Sequence, residues 1–193
     1  MSFHTKNKWV IGLTGPMLSG KSTALSYFAA CGAGTVSCDA IVRELYTCPA
    51  VLKKIHAALG TTDKIEIAAR VFKNAAKRSA LEQILHPLIL KRVRAQIKAC
   101  KQPLIVVEVP LLFEAGWERK TDLNIALWAD EKNLSVRLKE RKISWAEYQR
   151  RSRWQLSADQ KAQRADVVFF HTSKAQLKRQ VTRFYNALNL LHT

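Results

Sequence analysis

The sequence predicts an α/β protein: a five-stranded parallel sheet with helices on both faces, a helical insertion that serves as a substrate lobe, and a basic lid. Three observations lead there. Five short apolar runs alternate with stretches of helical pattern, as in a parallel sheet covered on both sides. The first run feeds a glycine-bounded loop, Gly15-Pro16-Met17-Leu18-Ser19-Gly20-Lys21-Ser22, and a helical stretch follows. The segment between the second and third runs is too long for a simple crossover.

Each element has a local reason. Residues 9–13 form a short apolar strand, and residues 22–30 suit a helix. Residues 35–38 read as the second strand, with a helical segment over 40–46. Residues 50–100 are helical in pattern, and Pro87 after His86 is expected to interrupt them, because proline removes an N–H and restricts the residue before it. Residues 103–109 form a strand with a proline at each end, and 123–128 form another. Residues 131–153 read as one charged helical stretch, 166–170 as the last strand, and Ser173 as the N-cap of a helix running to residue 191. The chain is therefore expected to be one domain. Its core would comprise 8–39 and 102–193, the helical insertion 40–101, and the lid about 137–165.

Composition narrows the class. Hydrophobic residues make up 48% of 193, which argues for a packed core and against disorder. No apolar stretch approaches the roughly 20 residues a membrane helix needs. Lys6 and Lys8 lead straight into the first strand, unlike a secretion signal, so a cytoplasmic protein is expected. The four cysteines form no C-x-x-C pair, which favours reduced thiols. The net charge of +17 has three readings: a nucleic-acid partner, a small polyanionic substrate, or a solvated basic surface. The substrate reading is preferred, since no nucleic-acid motif is recognisable.

The loop carries the strongest chemical signal. Its residues match G-x-x-x-x-G-K-[ST] in the strand–loop–helix setting that this phosphate-binding motif requires. Gly15 and Gly20 allow successive N–H groups to turn around a phosphate, and the following helix points its positive end at the same anion. Lys21 should reach the β- and γ-phosphates of ATP, and the Ser22 hydroxyl should ligate Mg²⁺. Leu18, Ser19, Gly20, Lys21, Ser22 and Thr23 are the nucleotide-binding candidates.

Other candidates leave two readings open. Asp39 follows the second strand, where it can accept a proton from an attacking hydroxyl or cap the next helix. Glu108, near the end of the third strand, can orient a Mg²⁺-bound water or simply pair with a neighbour. His86 beside Pro87 reads more readily as structural. Arg137 and Arg141, four apart on one expected helix, share a face, with Arg150, Arg151, Arg153 and Gln155 beyond. Their guanidinium forks suit phosphate oxygens or a solvated face.

Taken together, these segments resemble the dephospho-CoA kinase family. The resemblance runs through Leu13-Thr14-Gly15, Ser19 to Thr23, Asp39 with Arg43, Leu85-His86-Pro87-Leu88-Ile89 and Val109-Pro110-Leu111-Leu112-Phe113-Glu114. It continues through Arg137 with Arg141, Arg151 with Gln155 and Ala165-Asp166-Val167-Val168, covering nearly the whole chain. It implies a P-loop kinase fold and ATP-dependent, Mg²⁺-assisted phosphorylation of the ribose 3′-hydroxyl of dephospho-CoA. It also implies that Asp39 activates that hydroxyl, with Lys21 and Arg141 acting on the phosphates. Arg43, His86, Pro110 and Leu111 would then lie on the substrate side. The chain departs from the family pattern at three places. Pro16-Met17-Leu18 stands where Gly-Ile-Gly is usual, Ser37-Cys38-Asp39 replaces Asp-x-Asp, and His171 stands where Asn is common. The competing readings are a nucleoside or nucleoside-monophosphate kinase, and a basic P-loop protein that binds nucleic acid.

Overall fold

The computed structural model describes Phe3 and residues 8–129 and 134–191. These divide into two compact units, one of residues 38–98 and one built from the chain on either side of it.

Among the described residues, the second of these units contains five strands: β1 (Trp9–Thr14), β2 (Gly34–Ser37), β3 (Leu104–Glu108), β4 (Leu123–Ala129) and β5 (Val167–His171). All pair in parallel, in the order β2-β3-β1-β4-β5. The central β1 has β3 on one side and β4 on the other. The chain therefore leaves β1 toward one half of the sheet and later fills the other. Such a reversal opens a crevice beyond the carboxyl end of the central strand, where ligands bind in open parallel sheets.

The period of two along β1 assigns its residues to two faces. Ile11 and Leu13 point to one, where they join Val106, Ile125 and Leu127 under α1 (Lys21–Ala30) and α9 (Lys174–Leu191). Phe28 of α1 is the centre of that layer. It stacks on Phe169 at 6.4 Å and meets Phe184 of α9 edge-on at 6.3 Å. Gly12 and Thr14 point the other way. A side chain at Gly12 would strike Leu112 and Asn124, so the segment after β3 lies close against the sheet there. Among the described residues this unit also holds a 3-10 turn (Glu118–Lys120), α6 (Leu134–Glu140), α7 (Trp145–Ser152) and α8 (Ala158–Arg164). A capping box starts α8: the Ser157 hydroxyl accepts from Gln160 N, and the Gln160 side chain accepts from Ser157 N.

The 38–98 unit holds α2 (Cys38–Leu45), α3 (Pro49–Leu59), α4 (Lys64–Lys73) and α5 (Ala75–Ala99, whose last residue lies outside it). Leu85, Ile89 and Val93 form a buried stripe along α5, four residues apart. Asp63 caps α4 by accepting from Ile65 N and Glu66 N, both at 2.9 Å. Arg92 joins Glu44 at 2.8 Å, linking α5 to α2.

Several sequence expectations are corrected. Pro87 does not interrupt the helical run: α5 passes through it for 25 residues. The lost hydrogen bond is outweighed by the apolar stripe, whose buried members Leu85 and Ile89 flank the proline. The expected helix over 131–153 is two helices, α6 (Leu134–Glu140) and α7 (Trp145–Ser152), separated by a turn in which Lys142 takes φ 53°. Residues 131–133 lie outside the described residues. The second strand ends at Ser37, and α2 already includes Asp39 in its first turn. Asp39 is thus not an N-cap, although a carboxylate there still favours the helix dipole.

Phe28→Ala is expected to cost roughly 3–5 kcal/mol, because it removes the common partner of two aromatic contacts from a closed layer. Urea unfolding measures it, and a loss under about 1 kcal/mol would mean that Phe28 does not organise this core.

Candidate active site

The chain leaves β1 at Thr14 and turns at once into the 15–22 loop. Gly15 takes φ 157°, and a side chain there would meet Ser19 Oγ at 2.5 Å and the Leu127 carbonyl at 3.0 Å. Gly20, at φ 91°, caps α1 in the left-handed region that glycine enters freely. Leu18 takes φ 66° without being glycine, at a cost of roughly 1–2 kcal/mol.

Donors hold the carbonyls of this loop. Lys21 is 9% exposed, and its Nζ donates to Gly15 O at 2.9 Å and Pro16 O at 2.8 Å. Arg137 of α6 donates to Leu18 O at 3.3 Å. His171, at the end of β5, lies with Nε2 2.8 Å from Ser19 O. A carbonyl can only accept, so Nε2 carries the proton and Nδ1 is the bare nitrogen. In a trans peptide the N–H points opposite the C=O, so the Ser19 carbonyl facing His171 turns Gly20 N–H the other way. That N–H stands at the amino end of α1, where the dipole favours an anion.

Burial pushes the His171 pKa below the ordinary imidazole value. The hydrogen bond to Ser19 opposes this, and the charge on Arg137 adds to it. His171 therefore acts as a neutral donor, with Nδ1 buried and unpartnered among the described residues.

Glu108 closes β3 and is 2% exposed. Register places Ser37 of β2 beside it, and the Ser37 hydroxyl donates to Glu108 Oε2 at 2.8 Å. The Ser22 hydroxyl, one residue past Lys21, donates to Oε1 at 3.4 Å. A cavity of about 510 Å³ adjoins the loop, lined by Pro16, Leu18, Arg137, Tyr148, Arg153 and Gln155 among others.

The family model for dephospho-CoA kinase matches residues 9–177. The chain belongs to the dephospho-CoA kinase family. A dephospho-CoA kinase from Symbiobacterium thermophilum is 33% identical over 172 residues, covering 82% of this chain and 72% of that protein. Another from Bacillus licheniformis is 34% identical, covering 82% of this chain and 86% of that one. Among solved structures, TT1252 from Thermus thermophilus is 27% identical and superposes with a TM-score of 0.84, covering 95% of this chain and 98% of that one. Membership of this family makes the chain a kinase that transfers phosphate to an alcohol group, on a P-loop kinase fold.

Within this family member, the structure brings together Leu18, Ser19, Gly20, Lys21 and Ser22 with Glu108. Thr23 lies one residue further along α1, partly buried. Pro110 and Leu111 follow β3, but the Pro110 carbonyl is taken up by Thr14 Oγ1 at 3.2 Å and Lys161 Nζ at 3.0 Å. Asp39, Arg43 and His86 belong to the 38–98 unit. Asp39 and Arg43 are exposed and four apart on α2, while Cys38, Ile41 and Leu45 bury the opposite side. His86 sits partly buried within α5.

One expectation about the arginines is corrected. Arg137 and Arg141 do not share a helix, since α6 ends at Glu140 and Arg141 is exposed in the turn that follows. Arg137 contacts the loop through the Leu18 carbonyl. The sequence reading also missed Ser37 and Lys161. The first could have been found from strand pairing, which sets residues at the carboxyl ends of β2 and β3 side by side. The second gives no local signal, because its partners lie 47 or more residues away.

Below about pH 6.5, the usual imidazole value, an unfolded chain takes up a proton that folded His171 still refuses. The stability present above that pH is therefore lost as pH falls through the lowered folded value. His171→Asn, which keeps an amide donor at this position, is expected to flatten that loss. Urea midpoints of both proteins from pH 7.5 to 5 test this, and parallel profiles would contradict a neutral His171.

Proposed function

We propose that this member of the dephospho-CoA kinase family moves the γ-phosphate of ATP in line onto the ribose 3′-hydroxyl of dephospho-CoA. The observation that carries the reading is the assembly of Lys21, Ser22 and Glu108 at the carboxyl edge of the sheet, around a loop whose carbonyls are already engaged. Lys21 neutralises the β- and γ-phosphates, and the loop amides and the α1 dipole cradle them.

The donor set fits Mg²⁺: a hydroxyl and a carboxylate, both hard oxygen ligands, converge with Ser22 Oγ 3.4 Å from Glu108 Oε1. Ser22 would hold the ion directly, with Glu108 bound to it or to one of its waters. An ion held by these residues would supply positive charge to offset the charge that develops on the transferring phosphate. Ser37 keeps the Glu108 carboxylate aimed at Ser22, a task that a second carboxylate at that position would perform differently.

Asp39 is the proposed base. It is the second residue of the 38–98 unit, two residues past Ser37, it is exposed, and the family resemblance gives it this role. It would take the proton of the 3′-hydroxyl as that oxygen attacks phosphorus. The 38–98 unit is proposed as the lobe that holds dephospho-CoA, through Arg43 and His86, with Pro110 and Leu111 contributing from the end of β3. Arg137 and Arg141 are proposed to stabilise charge on the transferring group. The four cysteines form no disulfide, which accords with the proposed reducing, cytoplasmic location.

Release of ADP from ATP, measured with and without dephospho-CoA, tests the reaction, and no dependence on the acceptor would refute it. Asp39→Asn is expected to lower kcat by about 10²- to 10⁴-fold, the usual contribution of a general base. Its ATP affinity should stay within about threefold of the parent, since the phosphate grip is elsewhere. Unchanged turnover would remove Asp39 from the role.

A further inference from the structure

Lys161 is a buried cation that neither the phosphate grip nor the base accounts for. It sits in α8 with 0% exposure. Its Nζ lies 2.8 and 3.0 Å from the two carboxylate oxygens of Glu114, 3.0 Å from Pro110 O and 3.4 Å from Thr14 Oγ1. Burial lowers its pKa, the hydrogen bond and charge of Glu114 oppose that, and Arg164 adds to the lowering. An ammonium taken out of water is costly to hold, and an apolar side chain of the same length would fill the space more cheaply.

The partners explain the charge. Thr14 is the last residue of β1 and directly precedes Gly15. Pro110 follows two residues after Glu108, and Thr14 also donates to its carbonyl at 3.2 Å. Glu114 accepts in turn from Leu156 N at 2.8 Å. Leu156 belongs to the stem between α7 and α8 that lines the cavity beside the loop. One ammonium thus touches the strand end that carries the P-loop and the turn that follows Glu108. Through Glu114 it also holds the stem of the lid region. The first two are also tied by backbone, Val109 N donating to Leu13 O at 2.9 Å, whereas no backbone hydrogen bond among those described joins the 153–157 stem to either.

We infer that Lys161 is a positioning residue for phosphoryl transfer. It sets the P-loop, Glu108 and the 153–157 stem in one fixed relation without touching either substrate. The inference rests on the kinase reading above. Phosphoryl transfer is sensitive to such placement, since a displacement of about 1 Å can cost roughly 10²-fold in rate.

The test must separate positioning from mere support. Lys161→Met alone strands the Glu114 charge and should lose both stability and turnover. The double variant Lys161→Met, Glu114→Gln removes both charges while leaving an oxygen for Leu156 N. It is expected to melt within a few degrees of the parent and keep its KM for ATP within about threefold, yet to lose roughly 30- to 100-fold in kcat. Parental melting together with parental kcat would show a structural staple and overturn the inference. If the double variant does not fold, Glu114→Asp decides instead. It keeps the charge but shortens the reach, and an unchanged kcat in that variant overturns the inference equally. The parent's own acceptor-dependent ADP release tests the kinase reading separately, because the inference concerns only the ratio of variant to parent.

Discussion

A loop that grips phosphate must point its amides inward, and that is possible only if its carbonyls find donors. This constraint organises the sheet-bearing unit. The Ser19 carbonyl is met by His171 from β5, Leu18 by Arg137 from α6, and Gly15 and Pro16 by the loop's own Lys21. The donors come from strands and helices that the sheet order gathers at one edge. A charged His171 beside Arg137 would add a second cation against the same loop. Burial keeps the imidazole neutral, so it can donate without that repulsion.

The sheet supplies rigidity for this arrangement through two different faces. One is closed by the aromatic layer around Phe28, where dispersion and area burial dominate. The other carries Thr14, whose hydroxyl meets the buried ammonium of Lys161, the partner of a partly exposed Glu114. An ion pair of this kind is weak evidence for stability, because stripping water from the ammonium costs several kcal/mol that the attraction must offset. Its geometry is directional, however, as a hydrocarbon contact is not. Four oxygens around one nitrogen fix the relation of three segments that are far apart in sequence.

Much of the fold was legible because it depends on local periodicity. Each strand is an apolar run bounded by a turn, and the P-loop is contiguous in sequence, so its eight residues announce the turn. The misreadings have different causes: two turn on how the backbone runs past a single residue, and one on partners distant along the chain. Proline at position 87 reads as a breaker until the stripe from Leu85 to Val93 is seen to be buried. Arg141 reads as the partner of Arg137 until the turn at Lys142 ends the helix before it. Lys161 reads as one more surface lysine in a chain with 32 Lys and Arg, until its four oxygens are found on segments far upstream.

The departures in the loop are understandable in the same terms. Where a glycine would reach φ 66° freely, Leu18 pays in backbone strain and remains there. Its carbonyl is held by Arg137, and its side chain lines the cavity beside the loop, so surrounding contacts over-determine the conformation. Pro16 gives up an N–H, but its carbonyl still accepts from both Lys21 and Ser19, so the turn closes without that donor. The loop thus holds its turned conformation with less backbone freedom than a glycine-rich version. Its conformation is fixed from outside, by donors on α6 and β5, and the adaptability of glycine is not needed to reach it.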